Sequence, residues 1–255
     1  MQFGVCAGPK DAAWIRDAGA DFIEGHVQQF LRPDDEQWTP AVARADLPLP
    51  LVGFNCFFPG DLKITGPEVD LGRLHAYAER ACRRAADMGS DFIVLGSGAA
   101  RMIPEGWPRA AAEDEFVEAV RVLGPIAHDA GVTIVLEHLN RAESNILNSL
   151  PEALDYRRRA AAPGVAVLCD LFHFSLEDEP LESIDACRGV LEHVHIAEPQ
   201  RRVPPHAAGM NYRPFLARLK AIGYDRRISI ECNWKDMRAE LAPALEFLRK
   251  EWAAA

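Results

Sequence analysis

The sequence predicts an α/β fold in which eight parallel strands close into a barrel, with helical stretches between them. Three observations predict it. The chain has 255 residues, long for an ordinary domain but usual for one α/β barrel. A unit recurs along it: a glycine, a short polar step, then a burst of β-branched or aromatic residues. Eight strand-like bursts can be counted, and no linker or low-complexity segment separates them, so residues 1–255 read as one (β/α)8 TIM-barrel domain.

The strands are expected at 2–6, 21–25, 50–56, 91–96, 132–137, 165–170, 191–196 and 227–232. Their nearly continuous apolar character suits parallel strands buried on both faces. Gly19, Gly89, Gly131, Gly164 and Gly223 each follow a helix-like stretch, where a residue free to adopt positive φ caps the helix. Helices are expected over 70–88, 113–130 and 236–252. In the first, Leu74, Ala78, Ala81, Ala85 and Met88 recur at three- and four-residue steps and form an apolar stripe. Gly124-Pro125 is expected to kink or divide the second. Strand alternating with helix implies βαβ units and a parallel sheet. An open doubly wound sheet is the alternative, but no strand is followed by GxGxxG. The nearest stretch, Gly96-Ser97-Gly98-Ala99-Ala100-Arg101, lacks the third glycine.

Composition narrows the function. Apolar residues make up 49% of the chain, enough for a large core, and the 26% that are charged are dispersed. The formal net charge of −10 disfavours nucleic acid and anionic membranes as partners and suits a small neutral substrate. Cysteines 6, 56, 82, 169, 187 and 232 form no CxxC pair and read as packed thiols of a cytoplasmic protein. The start, MQFGVCAG, lacks the basic and apolar regions of a signal peptide, and no apolar run approaches a membrane span.

Four expected strands end in a residue able to bind metal: Glu137, Asp170, His195 and Glu231, at intervals of 33, 25 and 36 residues, each about one βα unit. Strand C-terminal ends converge on one mouth of such a barrel, where active sites sit. A single carboxylate there more often caps a helix or joins a loop ion pair, but four groups in register are hard to obtain by accident. Three carboxylates crowded together repel unless a cation neutralises them. An oxygen-rich set with one imidazole suits Mn²⁺ first, with Mg²⁺, Co²⁺ or Zn²⁺ compatible. Cys169 and Cys232 adjoin ligands on strands, where neighbours face opposite ways, and are expected to pack.

These residues resemble the xylose isomerase-like sugar isomerase/epimerase superfamily, especially its ketose 3-epimerases. The resemblance is sharpest over 131–233. Glu137-HLNRAE-Ser144, Asp170-LFH-Phe174, His193-V-His195-IAEPQ-Arg201 and Ile228-SI-Glu231 match the motifs of strands five to eight. The resemblance implies metal binding by Glu137, Asp170, His195 and Glu231, and substrate contacts from Glu143, His173 and Arg201. It also implies a homodimer or homotetramer. The chain departs from the family where Ala197-Glu198 replaces a usual Gly-Glu and Glu231-Cys232 a usual Glu-Pro. The first half, including Glu24, Asn55, Phe57, Phe58 and Trp107, matches only in pattern.

The chemistry implied is proton abstraction next to a carbonyl through a metal-bound ene-diolate, with Glu137 and Glu231 as catalytic groups on opposite faces of a small sugar or cyclitol. A lyase or dehydratase acting on an inosose or 3-keto sugar is the alternative. A nuclease resembling the AP endonucleases is more remote. It would need histidines after strands three and four and an Asp-x-His after strand seven, and these are absent. Several other residues are open. His193 shares a strand face with His195 and is expected deeper in the barrel. His138 is expected to point away from Glu137. Glu24 either faces the pocket or pairs with another loop. Phe57, Phe58 and Trp107 either wall the sugar or pack, and His206 lies where it can line the mouth.

Overall fold

The computed structural model describes residues 1–255. Eight strands, β1 Gln2–Cys6, β2 Phe22–His26, β3 Leu51–Asn55, β4 Phe92–Leu95, β5 Thr133–Glu137, β6 Val165–Asp170, β7 Leu191–Ile196 and β8 Arg227–Ile230, pair in parallel in chain order. β8 returns to pair with β1 and closes the barrel. Strand identity and number agree with the sequence pattern, with boundaries shifted by a residue or two. Glu231 stands just past β8, not inside it.

The helices are α1 Ala12–Asp17, α2 Leu71–Asp87, α3 Gly98–Arg101, α4 Arg109–Asp129, α5 Leu150–Ala160, α6 Leu171–Leu176, α7 Arg213–Ala221 and α8 Met237–Ala254. Side-chain caps start four of them: Asp70 for α2, Ser149 for α5, Asp170 for α6 and Asp236 for α8 accept first-turn N–H groups. The five cap glycines all take positive φ, from 65° to 96°. Two expectations are corrected. β2 is followed by only short helical turns at 27–31 and 44–46. And α4 is not divided at Gly124-Pro125 but continues through it as helix. Gly124 serves packing there: a Cβ on it would sit 2.5 Å from the Pro163 carbonyl oxygen, so the bare backbone lets the approach to β6 lie against α4.

The apolar stripe of α2 is buried as expected from its spacing. Inside the barrel, Phe22, Val52, Phe92, Val94, Val135 and Leu168 form a buried apolar plug. The period of two along a strand then dictates what lies above it. Two residues beyond Phe22, Val135 and Leu168 come Glu24, Glu137 and Asp170. Side chains on one inward-facing row thus change from apolar to ionisable as the strands reach the mouth. All six cysteines are free thiols, and no helix is long and apolar enough to cross a membrane.

Candidate active site

Glu137, Asp170, His195 and Glu231 meet at the C-terminal mouth. One ligand atom from each lies within 4.8 Å of those of the others. His195 is central: its Nδ1 is 3.2 Å from Glu137 Oε1 and 3.1 Å from Glu231 Oε2. Burial raises the pKa of Glu137, and Glu231 and Asp170 add to it. Burial and Glu231 likewise raise Asp170 against the pull of Arg202. For Glu231 burial is outweighed by His195 and Arg202, which bring it down to about 2. Burial disfavours charge on His195, but Glu24 and Glu231 raise it well above the ordinary imidazole value. The crowd of carboxylates therefore demands positive charge. Three carboxylate oxygens and one imidazole nitrogen are a donor set that fits a divalent ion of the Mn²⁺ or Mg²⁺ kind.

The sequence-predicted substrate contacts divide. His173 is buried, and its Nδ1 accepts the Asn140 backbone N–H at 3.1 Å. The proton is then on Nε2, which has no hydrogen-bond partner and lies 3.6 Å from Asp170 Oδ2 and 4.0 Å from Glu143 Oε2. Burial lowers His173 to about 4, so it is a neutral donor aimed into the mouth. Glu143 is held by Asn140 Nδ2, which donates to its Oε1 at 3.0 Å. Arg201, by contrast, is exposed. Arg202 enters instead: its guanidinium contacts Asp170 Oδ2 at 3.2 Å and Glu231 Oε2, and lies over the Phe172 ring at 4.7 Å.

Further buried groups hold these side chains, a part the sequence pattern did not assign to them. Arg101 is fully buried and donates to the carbonyls of Glu137 at 2.7 Å, Leu147 at 3.2 Å and Leu95 at 3.3 Å. It ties the ends of β4 and β5 to the loop that carries Glu143. Asn55 Nδ2 donates to Glu231 Oε1 at 3.0 Å. Asn140 orders both His173 and Glu143. Asn140 lies within the strand-five motif and Asn55 ends β3, but neither position by itself shows which group it holds.

A cavity of about 270 Å³ opens beside the cluster, lined by Gln28, Phe58, Ser97, Glu143, His173 and Arg202 among others. It is smaller than the ~300 Å³ at which sites for drug-sized ligands begin. Phe58 lines it while stacked on Phe57 at 4.0 Å between centroids. Trp107 packs away from it and donates to Glu115. His206 is exposed and lies near the Phe247 ring. His138 is buried with neither ring nitrogen hydrogen-bonded. Glu24 pairs with no loop; it sits fully buried beneath the cluster with His193.

The family model described as xylose isomerase-like TIM barrel matches residues 12–251. The chain is 28% identical to 3-dehydro-D-guloside 4-epimerase of Escherichia coli (strain K12) over 160 residues, 60% of this chain and 61% of that one. It therefore spans less than two thirds of that relative's length. It is 27% identical to L-ribulose 3-epimerase of Mesorhizobium japonicum over 253 residues, 96% of this chain and 82% of that one. The apo crystal structure of 3-keto-D-glucoside 4-epimerase from E. coli superposes with a TM-score of 0.83 at 21% identity, covering 98% of this chain and 99% of that one.

Proposed function

The chain belongs to the xylose isomerase-like TIM barrel family, and on that premise we propose that it is a divalent-metal-dependent sugar epimerase that inverts a carbon beside a ketone. The observation that carries this reading is the convergence of Glu137, Asp170, His195 and Glu231 within 4.8 Å at the barrel mouth. The relatives add chemical support. A 3-dehydro-guloside has its ketone at C3 and is inverted at C4; L-ribulose has its ketone at C2 and is inverted at C3. In both, the inverted carbon adjoins the carbonyl, where a C–H proton is acidic enough to be removed by a carboxylate.

Glu137, Asp170, His195 and Glu231 would hold a divalent ion, which would supply Lewis-acid polarisation of the ketone. The remaining work falls to the chain. Glu137 and Glu231 arrive from β5 and β8. One takes the proton from one face of the carbon, leaving an ene-diolate, and the other returns a proton to the opposite face. His173 Nε2–H and the Arg202 guanidinium hold substrate oxygens, and Glu143 accepts from a hydroxyl. Asn140, Asn55 and Arg101 keep these groups in place, so that little reorganisation is needed during reaction. Phe58 forms part of the cavity wall beside these groups. Mn²⁺ is the expected ion.

The test is solvent exchange. Protein loaded with Mn²⁺ is incubated in D₂O with ketopentoses, ketohexoses, inososes and 3-keto-glycosides, the metal is removed, and NMR follows each carbon. An epimerase places deuterium at the carbon it inverts and yields the epimer. An unsaturated ketone absorbing in the ultraviolet would replace epimerase by lyase. Absence of exchange in every sugar, together with metal-dependent cutting of an abasic-site duplex, would refute the carbohydrate reading.

A further inference from the structure

One layer below the cluster lies a polar group that the proposed chemistry does not use. Glu24, His193 and Ser229 are fully buried, against the rings of Phe22 and Phe92. A carboxylate so placed is costly unless donors or charges satisfy it, and here three donors converge on it. Ser229 Oγ donates to Glu24 Oε2 at 2.7 Å, and His193 Nε2 lies 2.9 Å from the same oxygen. His195 Nε2 is 2.9 Å from Oε1 and 3.0 Å from Oε2. The supports are themselves fixed. His193 Nδ1 has no partner, so this imidazole engages only through Nε2, between Glu24 Oε2 and Ser229 Oγ, each at 2.9 Å.

His195 thus links two layers. Its Nε2 faces Glu24 alone among carboxylates, while its Nδ1 faces Glu137 and Glu231. Both ring nitrogens face carboxylates, but a cation held among Glu137, Asp170 and Glu231 would take the Nδ1 lone pair, and the ring proton then belongs on Nε2, where Glu24 accepts it. We propose that Glu24 is a positioning residue that locks His195 in its Nε2–H tautomer and ring orientation and so prepares Nδ1 as a metal ligand; this rests on the metal-dependent reading above. The physical basis is general. A ligand imidazole is oriented, and made a better donor, by the carboxylate that accepts its other N–H. The same neighbourhood offers a rival, because Cys6, Glu24 and His195 also place one ligand atom each within 4.8 Å of one another. A second cation there would have to displace the three donors already on Glu24 and take a proton from Cys6, whose thiol burial pushes well up.

The experiment is Mn²⁺ titration of chelator-treated protein, read by electron paramagnetic resonance, for wild type, Glu24→Gln, Glu24→Asp and Ser229→Ala. Alongside it, nitrogen-15 NMR of the Zn²⁺-loaded protein reads the His195 tautomer. Wild type should bind one Mn²⁺ per chain and show the His195 proton on Nε2. Glu24→Gln should still bind one ion, about 10- to 100-fold more weakly, and its Nε2–H should lose protection from solvent exchange. Glu24→Asp, which keeps the charge, should recover part of the affinity. If Glu24→Gln does not fold, Ser229→Ala decides, because it removes one donor from Glu24 without touching His195; about 5-fold weaker binding is expected. Unchanged Mn²⁺ affinity in folded Glu24→Gln, or in Ser229→Ala where that variant must decide, overturns the proposal and leaves the metal reading standing. A lowered melting temperature without weaker Mn²⁺ binding does the same. Two ions per wild-type chain, one of them lost in Glu24→Gln, make Glu24 a ligand and overturn it too. Wild type that binds no Mn²⁺ overturns the metal reading first and this inference with it.

Discussion

Gly96, the residue after β4, offers a direct probe of how closely the Glu137 carboxylate is held. A Cβ built on Gly96 would stand 2.0 Å from Glu137 Oε2 and 3.2 Å from its Cδ. The first contact is about 1.5 Å short of an ordinary van der Waals separation. Gly96 is not among the positive-φ glycines, so alanine meets no backbone strain there. The obstacle is the end of a side chain, which can rotate away. Gly96→Ala should therefore leave global stability within about 1 kcal/mol of wild type, the clash being offset in part by lower unfolded-chain entropy. Function is another matter. Misplacing a reacting group by about 1 Å can cost ~10²-fold in rate, or about 2.7 kcal/mol of transition-state stabilisation. The variant should turn over the sugar that exchanges fastest in D₂O about 100-fold more slowly, and should bind Mn²⁺ more weakly. Urea denaturation, steady-state rates and Mn²⁺ titration measure the three quantities. Wild-type rate and affinity in a folded variant would refute the close approach. A variant that unfolds would refute the claim that the carboxylate end yields first.

Two further outcomes follow from the same geometry. Arg202→Ala should lower kcat/KM by about 2–5 kcal/mol, as expected when a buried charged contact is lost, while Arg201→Ala should stay close to wild type; steady-state kinetics with metal content measured in parallel would reject the assignment if the ranking reversed. His138→Leu should reduce acid sensitivity. Burial lowers the His138 pKa from 6.5 to about 3, so between those values the unfolded chain binds more protons than the folded one and stability falls as pH falls. The loss is about 1.4 kcal/mol per pH unit from this group. Urea midpoints for His138→Leu and wild type should separate progressively below pH 6.5, and parallel curves would show that His138 does not titrate in this way.

Much of the site was legible because strands impose a period of two. Glu137, Asp170 and His195 were placed by position at strand ends, and His193 two residues before His195 was expected deeper and is found there. Glu143 and His173 lie in short segments directly after their strands, so their spacing from Glu137 and Asp170 brings them beside the cluster. Glu24 shows the limit. Its place at the end of β2 was evident, but its partners, His193, His195 and Ser229, come from β7 and β8. Nothing local to residue 24 distinguishes an inward carboxylate from one that reaches a loop. Arg101 and Asn140 were missed for a related reason: they act on backbone carbonyls and a ring nitrogen brought near only by the closed barrel. Pro125 was misleading because the break it favours locally is opposed by the packing of α4 against the approach to β6.

The inward turn of Arg202, rather than Arg201, has a sharper cause. On a strand, choosing between neighbours is choosing a face, and the alternation settles it. Here both arginines stand in a loop with positive φ, 59° and 53°, so the alternation has no force. The loop after β8 decides instead. The Asn233 backbone N–H donates to the Arg202 carbonyl at 2.7 Å, and Asn233 Nδ2 donates to that of Arg201 at 3.1 Å. With both carbonyls held, the Arg202 side chain is directed inward, where the Glu231 carbonyl accepts from Nε at 3.1 Å and Phe172 lies against the guanidinium. A sequence motif can say that an arginine belongs at this bend. Which of two adjacent arginines enters depends on a loop some thirty residues away, and that contact exists only once β7 and β8 lie side by side.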